Sequence, residues 1–150
     1  MKRKSMDGAE CPVARALDVI GDWWTPLIVR DAFDGMRRFG EFQRSLGISK
    51  GILAARLKAL TEAGILQATP PDDGGAHQDY ILTPKGRALF PVVVGLRQWG
   101  EAHCFGPGEA HSVLVEKASG RLVGPLKLEG ASGKPLDASA TEVRKVSSRE

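Results

Sequence analysis

Six basic side chains fall between positions 37 and 58: Arg37, Arg38, Arg44, Lys50, Arg56 and Lys58, against the single acid Glu41. The segment therefore carries +5 in a chain whose net charge is +3, and everything outside it is acidic by two charges. Cations at this density suit one piece of chemistry above others, the neutralisation of a phosphate backbone with release of its counterions. A solvated helix face is the plainer reading of a charge run. The position of these charges favours the first, because they bracket Gly47-Ile48, a turn between two short apolar-periodic runs.

On a helix starting after Ser49, positions 51, 54, 55, 58 and 62 point away from the apolar stripe Leu53, Leu57 and Leu60 at about 100° per residue. Gly51, Ala54 and Ala55 cannot make bidentate hydrogen bonds to bases, but an alanine methyl can meet a thymine methyl. The expectation is that Ala54 and Ala55 favour T-containing steps, that Lys50 and Lys58 reach phosphate or guanine, and that DNA shape carries much of the selectivity. The competing reading is that alanine stands there as a good helix former. Ser49 completes this set, and so does His77, close to the tip of a later turn.

Other reactive residue types are sparse. Cys11 precedes Pro12 at the start of a helical pattern, where helix-end N–H groups favour an anion, Arg15 adds to the effect and Glu10 opposes it. It is a candidate redox-sensing thiol, or else only a small apolar residue. Cys11 and Cys104 are too isolated for a disulfide framework or a zinc site, and His77, His103 and His111 lack ligand spacing, so no metal and no cofactor is expected. Trp23 and Trp24 suggest a ligand pocket, yet helical neighbours diverge by about 100°, so one is expected in the core and the other at an interface or pocket rim. There is no nucleophile elbow, phosphate-cradling glycine loop or paired-carboxylate constellation, and an enzyme is the least supported class.

The elements that must position these groups follow from spacing. Val13, Ala16, Leu17 and Ile20 give a first helix with Pro12 in its opening turn and Gly21 at its close. Asp22 or Thr25 caps a second, largely buried helix, with Pro26 as its first residue. Phe39, Phe42 and Leu46 define a third, and residues 50–63 a fourth, ended by Gly64 in a position that needs positive φ. Residues 65–69 and 80–82 are β-like runs joined by the turn-rich 70–75, which predicts a hairpin. Thr83-Pro84 opens a fifth helix through Leu89, Val92, Val93, Leu96, Trp99 and Gly100. From residue 105 glycine and proline punctuate short Val/Leu runs, predicting a C-terminal extension of small β-hairpins or a partly disordered tail. The expected division is a flexible 1–10, a domain over 11–104 and the extension over 105–150. A hydrophobic fraction of 42% in 150 residues supports one ordinary core. No window approaches the roughly 18 apolar residues of a membrane span, and the chain is expected to be cytoplasmic, with no membrane partner.

Helix, helix, helix-turn-helix, hairpin, helix resembles the winged-helix fold, mainly α with a small β wing. Several motifs resemble the HxlR-type transcriptional regulators in particular: Cys11-Pro12-Val13, Ile20-Gly21-Asp22-Trp23-Trp24-Thr25, Arg38-Phe39 with Glu41-Phe42, Ile48-Ser49, Ile52-Leu53 with Arg56-Leu57, Gly64-Ile65-Leu66, and Tyr80 with Leu82-Thr83-Pro84-Lys85-Gly86. The resemblance spans roughly residues 11–100. It implies a homodimer on palindromic double-stranded operator DNA, with 49–63 as recognition helix, 65–82 as wing, and a dimer surface from Val13, Leu17, Ile20, Leu89, Val92, Val93, Leu96 and Trp99. It also implies that Cys11 matches a cysteine that some members use to detect oxidants or electrophiles, and that the protein is a regulator, expected to act as a repressor. Two features depart from the pattern: Gly51 replaces the usual Asn or Arg, and the wing tip is Asp72-Asp73-Gly74-Gly75, an acidic tip that should repel phosphate. These departures keep open a dimeric ligand-binding or protein-interaction module with weakened DNA contact; a second alternative is a MarR-like sensor with a small-molecule effector pocket lined by Trp23 or Trp24.

Overall fold

In the computed structural model, which describes residues 4–146, the chain divides after Val93 into two compact units. The first contains α1 (Pro12–Ile20), α2 (Trp24–Phe33), α3 (Phe39–Leu46), α4 (Lys50–Glu62), strands β1 (Leu66–Thr69) and β2 (Asp79–Leu82), and the short α5 (Pro84–Arg87). The division falls inside α6 (Phe90–His103).

The core of the first unit is built from the predicted stripes. Ile28 and Val29 of α2, Phe42 of α3, and Leu53, Leu57 and Leu60 of α4 are buried with Ile48, Ile65 and Leu66. Two glycines set the geometry between the helices. Gly47 closes α3 at φ +61 and Gly64 follows α4 at φ +75, both in the left-handed region where a Cβ is penalised. Ser49 caps α4, its hydroxyl accepting the Ile52 N–H at 3.3 Å. Asp22 performs the same service for α2, accepting the Trp24 and Thr25 N–H groups at 2.9 Å each and the Thr25 hydroxyl. Pro26 is thus the third helical residue rather than the first, still inside the turn where a missing N–H is harmless.

The hairpin pairs antiparallel in the register Leu66↔Leu82 through Thr69↔Asp79. Its base is locked by the Thr83-Pro84-Lys85-Gly86 motif. The Thr83 hydroxyl donates to the Gly64 carbonyl and accepts the Gly86 N–H, while Lys85 Nζ reaches the Ala63 carbonyl at 2.7 Å. Gly86 is required sterically, since a Cβ there would lie 2.2 Å from the Ile65 carbonyl oxygen. A four-residue motif thereby ties the base of the hairpin to the end of α4.

The fifth helix predicted from Pro84 onward is broken in two. Pro91 is the second residue of α6; it has no N–H to donate and its ring conflicts with the carbonyl four residues back, so α5 stops at Arg87 and a new helix starts at Phe90.

In the second unit, residues 105–146 form two hairpin-like turns closed by the bridges Val115↔Leu122 and Glu129↔Pro135, followed by a 3-10 turn at Ala138–Ala140. Helix α6 organises them. The Gln98 side chain donates to the Gly124 carbonyl and accepts the Leu126 N–H, and Arg97 donates to the Ser112 carbonyl. Among the described residues no helix is long and apolar enough to cross a membrane.

Candidate nucleic-acid interface

Helix α4 buries Leu53, Leu57 and Leu60 and leaves Lys50, Gly51, Ala54, Ala55 and Lys58 exposed, as do the capping Ser49 and the next turn's Glu62. The exposed face is flat and small in the middle, with a lysine near each end. Ile52, which sequence reasoning passed over as a contact residue, is 45% exposed at the flank of that face. Its signal was its position one step from Gly51 and three from Ala55, beside the buried stripe rather than in it. A γ-methyl there offers the same apolar contact to thymine as the alanines.

The remaining cations have different fates. Arg44 is exposed on α3, and with Lys50 and Lys58 it makes no ion pair among the described residues. Arg56 is drawn inward, with Nη1 3.7 Å from the Asp22 carboxylate at the start of α2. Asp22 is affected in turn. Burial opposes its ionisation, but the Thr25 hydroxyl and N–H, the Arg56 charge and the Trp24 N–H outweigh that and hold its carboxyl below the usual aspartate range.

Arg37 and Arg38 face the hairpin tip. Arg38 Nη2 donates to Asp73 at 2.7 Å, its Nε lies 3.9 Å from Asp79, and Arg37 Nη1 lies 4.0 Å from Asp72. The acidic tip is thus neutralised internally, by arginines that sequence reasoning assigned to phosphate. Backbone pairing brings the two segments together, the Tyr80 N–H donating to the Arg37 carbonyl at 2.7 Å and Arg38 forming a bridge to Asp79. His77, exposed on the loop, has Nε2 3.9 Å from Asp79.

Cys11 is an exposed free thiol at the N-cap of α1, and Cys104 is exposed at the end of α6. The Arg15 guanidinium expected to assist Cys11 instead donates to the Ala9 carbonyl. The two adjacent tryptophans part company, Trp24 packing against the core and Trp23 standing 78% exposed. Of the dimer-surface set, Ile20, Leu89 and Val93 pack against the first unit's core, because each falls on the inner side of its helix. Val13, Leu17, Val92, Leu96 and Trp99 are exposed. Helix α1 has no buried residue at all.

Known proteins share this organisation. The Mycobacterium tuberculosis (strain H37Rv) protein Rv3095, an uncharacterized HTH-type transcriptional regulator, is 44% identical over 116 residues, 74% of this chain and 73% of that protein. The crystal structure of PA1607, a proposed transcription factor, superposes with a TM-score of 0.90 at 56% identity, covering 94% of this chain and 99% of that one. The redox regulator HypR in its oxidized form matches with a TM-score of 0.57 at 35% identity, over 62% of this chain and 97% of that one. Residues 19–106 match the HxlR-like helix-turn-helix model, which takes in α2 to α6 with the turn, the outward lysines and the wing. The chain belongs to the HxlR-like helix-turn-helix family and is a transcriptional regulator, not an enzyme.

Proposed function

We propose that the protein is a homodimeric repressor that lays α4 of each protomer in the major groove of a palindromic operator and occludes the promoter. The observation that carries this reading is the outward face of α4, small and apolar between Lys50 and Lys58, on a helix fixed by the Ser49 cap and the Thr83-Pro84-Lys85-Gly86 lock. Lys50, Lys58 and Arg44 neutralise phosphates. Gly51, Ile52, Ala54 and Ala55 allow close approach to base edges and select thymine methyls, while groove shape supplies the rest of the selectivity. Two such helices in a two-fold dimer sit about 34 Å apart, one turn of DNA. The dimer contacts use exposed apolar side chains of each unit, Val13 at 67% and Leu17 at 51% exposure in the first, and Leu96 and Trp99 in the second.

A thiol response belongs to the same proposal. Cys11 is exposed beside the α1 surface, and HypR, a redox regulator, shares the fold at 35% identity. Oxidation there changes the contact between protomers and with it the spacing of the two recognition helices. The second reading, a protein-interaction module that has lost DNA contact, draws on the pairing of Arg37 and Arg38 with the acidic tip. Titration of the purified protein against random duplex DNA at rising salt separates the two. A DNA-binding regulator loses affinity linearly in log salt, whereas a module barely binds at any concentration. Repeating the titration after mild peroxide, with Cys11→Ser as control, tests the thiol. Unchanged affinity in the treated wild type removes Cys11 from the mechanism.

A further inference from the structure

The contact between the hairpin tip and Arg38 borders a cleft. A cleft of about 410 Å³ opens between the first turn of α3 and the hairpin, lined by Arg38, Glu41, Arg44, His77, Gln78 and Tyr80 among others. Glu41 is occupied, its carboxylate accepting the Arg38 N–H at 3.1 Å to cap α3. Arg44 folds back over bare Gly40, where a Cβ would come within 3.2 Å of its guanidinium. Two guanidiniums therefore border one cleft at the start of a helix.

The Asp73 carboxylate sits on one of them. Its Oδ1 accepts the Gly75 N–H at 2.9 Å, which fixes the turn and leaves Oδ2 on Arg38 Nη2 at 2.7 Å. Both side chains are about half exposed, 48% and 53%. The Asp79 Oδ1 lies 3.9 Å from Arg38 Nε and is buried, with no hydrogen-bond partner among the described residues. One carboxylate is thus buried and near the arginine without a hydrogen bond to it, and the other is hydrogen-bonded, exposed and exchangeable.

We infer that this cleft is a seat for a phosphate of the DNA backbone, and that Asp73 occupies its cation in the unbound protein as an internal phosphate mimic, so that the wing tip competes with DNA for Arg38. The inference rests on the DNA-binding reading above. A guanidinium fork takes carboxylate and phosphate oxygens in the same geometry, and an exposed ion pair in water is weak enough for a phosphate delivered by α4 to displace it. An acidic tip then sets a threshold: only duplex already held by the recognition helix gains the Arg38 contact.

The test is duplex binding by fluorescence anisotropy over a salt series with wild type, Asp73→Asn, Arg38→Gln and the double variant. Asparagine keeps the oxygen that accepts the Gly75 N–H but leaves Arg38 free. Asp73→Asn should bind several-fold tighter, with a salt slope steeper by about 0.9 for the additional phosphate contact. Arg38→Gln should bind more weakly and abolish the gain from Asp73→Asn. An equal gain in the Arg38→Gln background would mark a general charge effect and overturn the latch, as would unchanged or weaker binding by Asp73→Asn in a wild type that itself binds with steep salt dependence. A wild type that ignores duplex at low salt removes the DNA reading and the latch together.

Discussion

Helices α1 and α4 are both short and carry apolar residues at helical spacing, α1 opening on Pro12 and α4 on the Ser49 cap, yet their apolar faces end differently. Leu53, Leu57 and Leu60 of α4 are essentially inaccessible, whereas α1 buries none of its residues and leaves Val13 and Leu17 more than half exposed. Helix α4 has satisfied its apolar side within the chain, so its outer face is free to specialise for a ligand. Helix α1 sets Ile20 against the core and leaves Val13 and Leu17 exposed, and exposed apolar side chains on a small protein are a place for another polypeptide. In the proposed function the same periodicity serves a reading head in one case and a contact surface in the other.

The sharpest way to break that comparison is to delete a side chain from each face. Leu57→Ala should cost about 2–5 kcal/mol of folding stability in denaturant melts, from lost transfer energy and an unfilled cavity. Val13→Arg should cost under about 0.5 kcal/mol in the monomer, yet convert the proposed dimer to monomer in sedimentation and abolish the rise of melting temperature with protein concentration that the dimer entails. Comparable folding costs for the two would show that α1 is as internal as α4. Next in size is Gly86→Ala, expected to cost about 1–3 kcal/mol because the added methyl overlaps the Ile65 carbonyl and no side chain can yield. It should also weaken DNA binding by loosening the lock on α4.

A smaller effect concerns Asp22, which caps α2 and holds Arg56 of α4. Its folded pKa lies below the unfolded one, so its contribution is complete above about pH 4 and is lost as the pH falls through the folded value. Asp22→Ala should cost about 1 kcal/mol at neutral pH. The gap between variant and wild type should close progressively below pH 4; a gap that persists there would mean the carboxylate's charge is irrelevant.

Much of this was legible in the chain because the signals are local. Periodicity placed α3 and α4, Ser49 and Gly47 marked the turn, and Gly64 and Thr83-Pro84 marked the ends of neighbouring elements. The helix break before Phe90 was also written there, in Pro91, but the apolar run on either side of it masked the signal. What sequence could not show was which charges meet. Arg38 and Asp73 are 35 positions apart, and Arg56 finds Asp22 only after α2 and α4 pack together. Three of six counted cations proved to have internal partners, so the free cation set on this face contracts to Arg44, Lys50 and Lys58.

The central claim is that the outward face of α4 is the surface that meets DNA. Backbone amide NMR of the labelled protein, titrated with duplex DNA at low salt, tests it residue by residue. The account predicts that the largest shifts gather at Lys50, Gly51, Ile52, Ala54, Ala55 and Lys58, with smaller ones at Arg44 and the hairpin tip. Shifts that gather on α1 or α6 while α4 stays unmoved would contradict it.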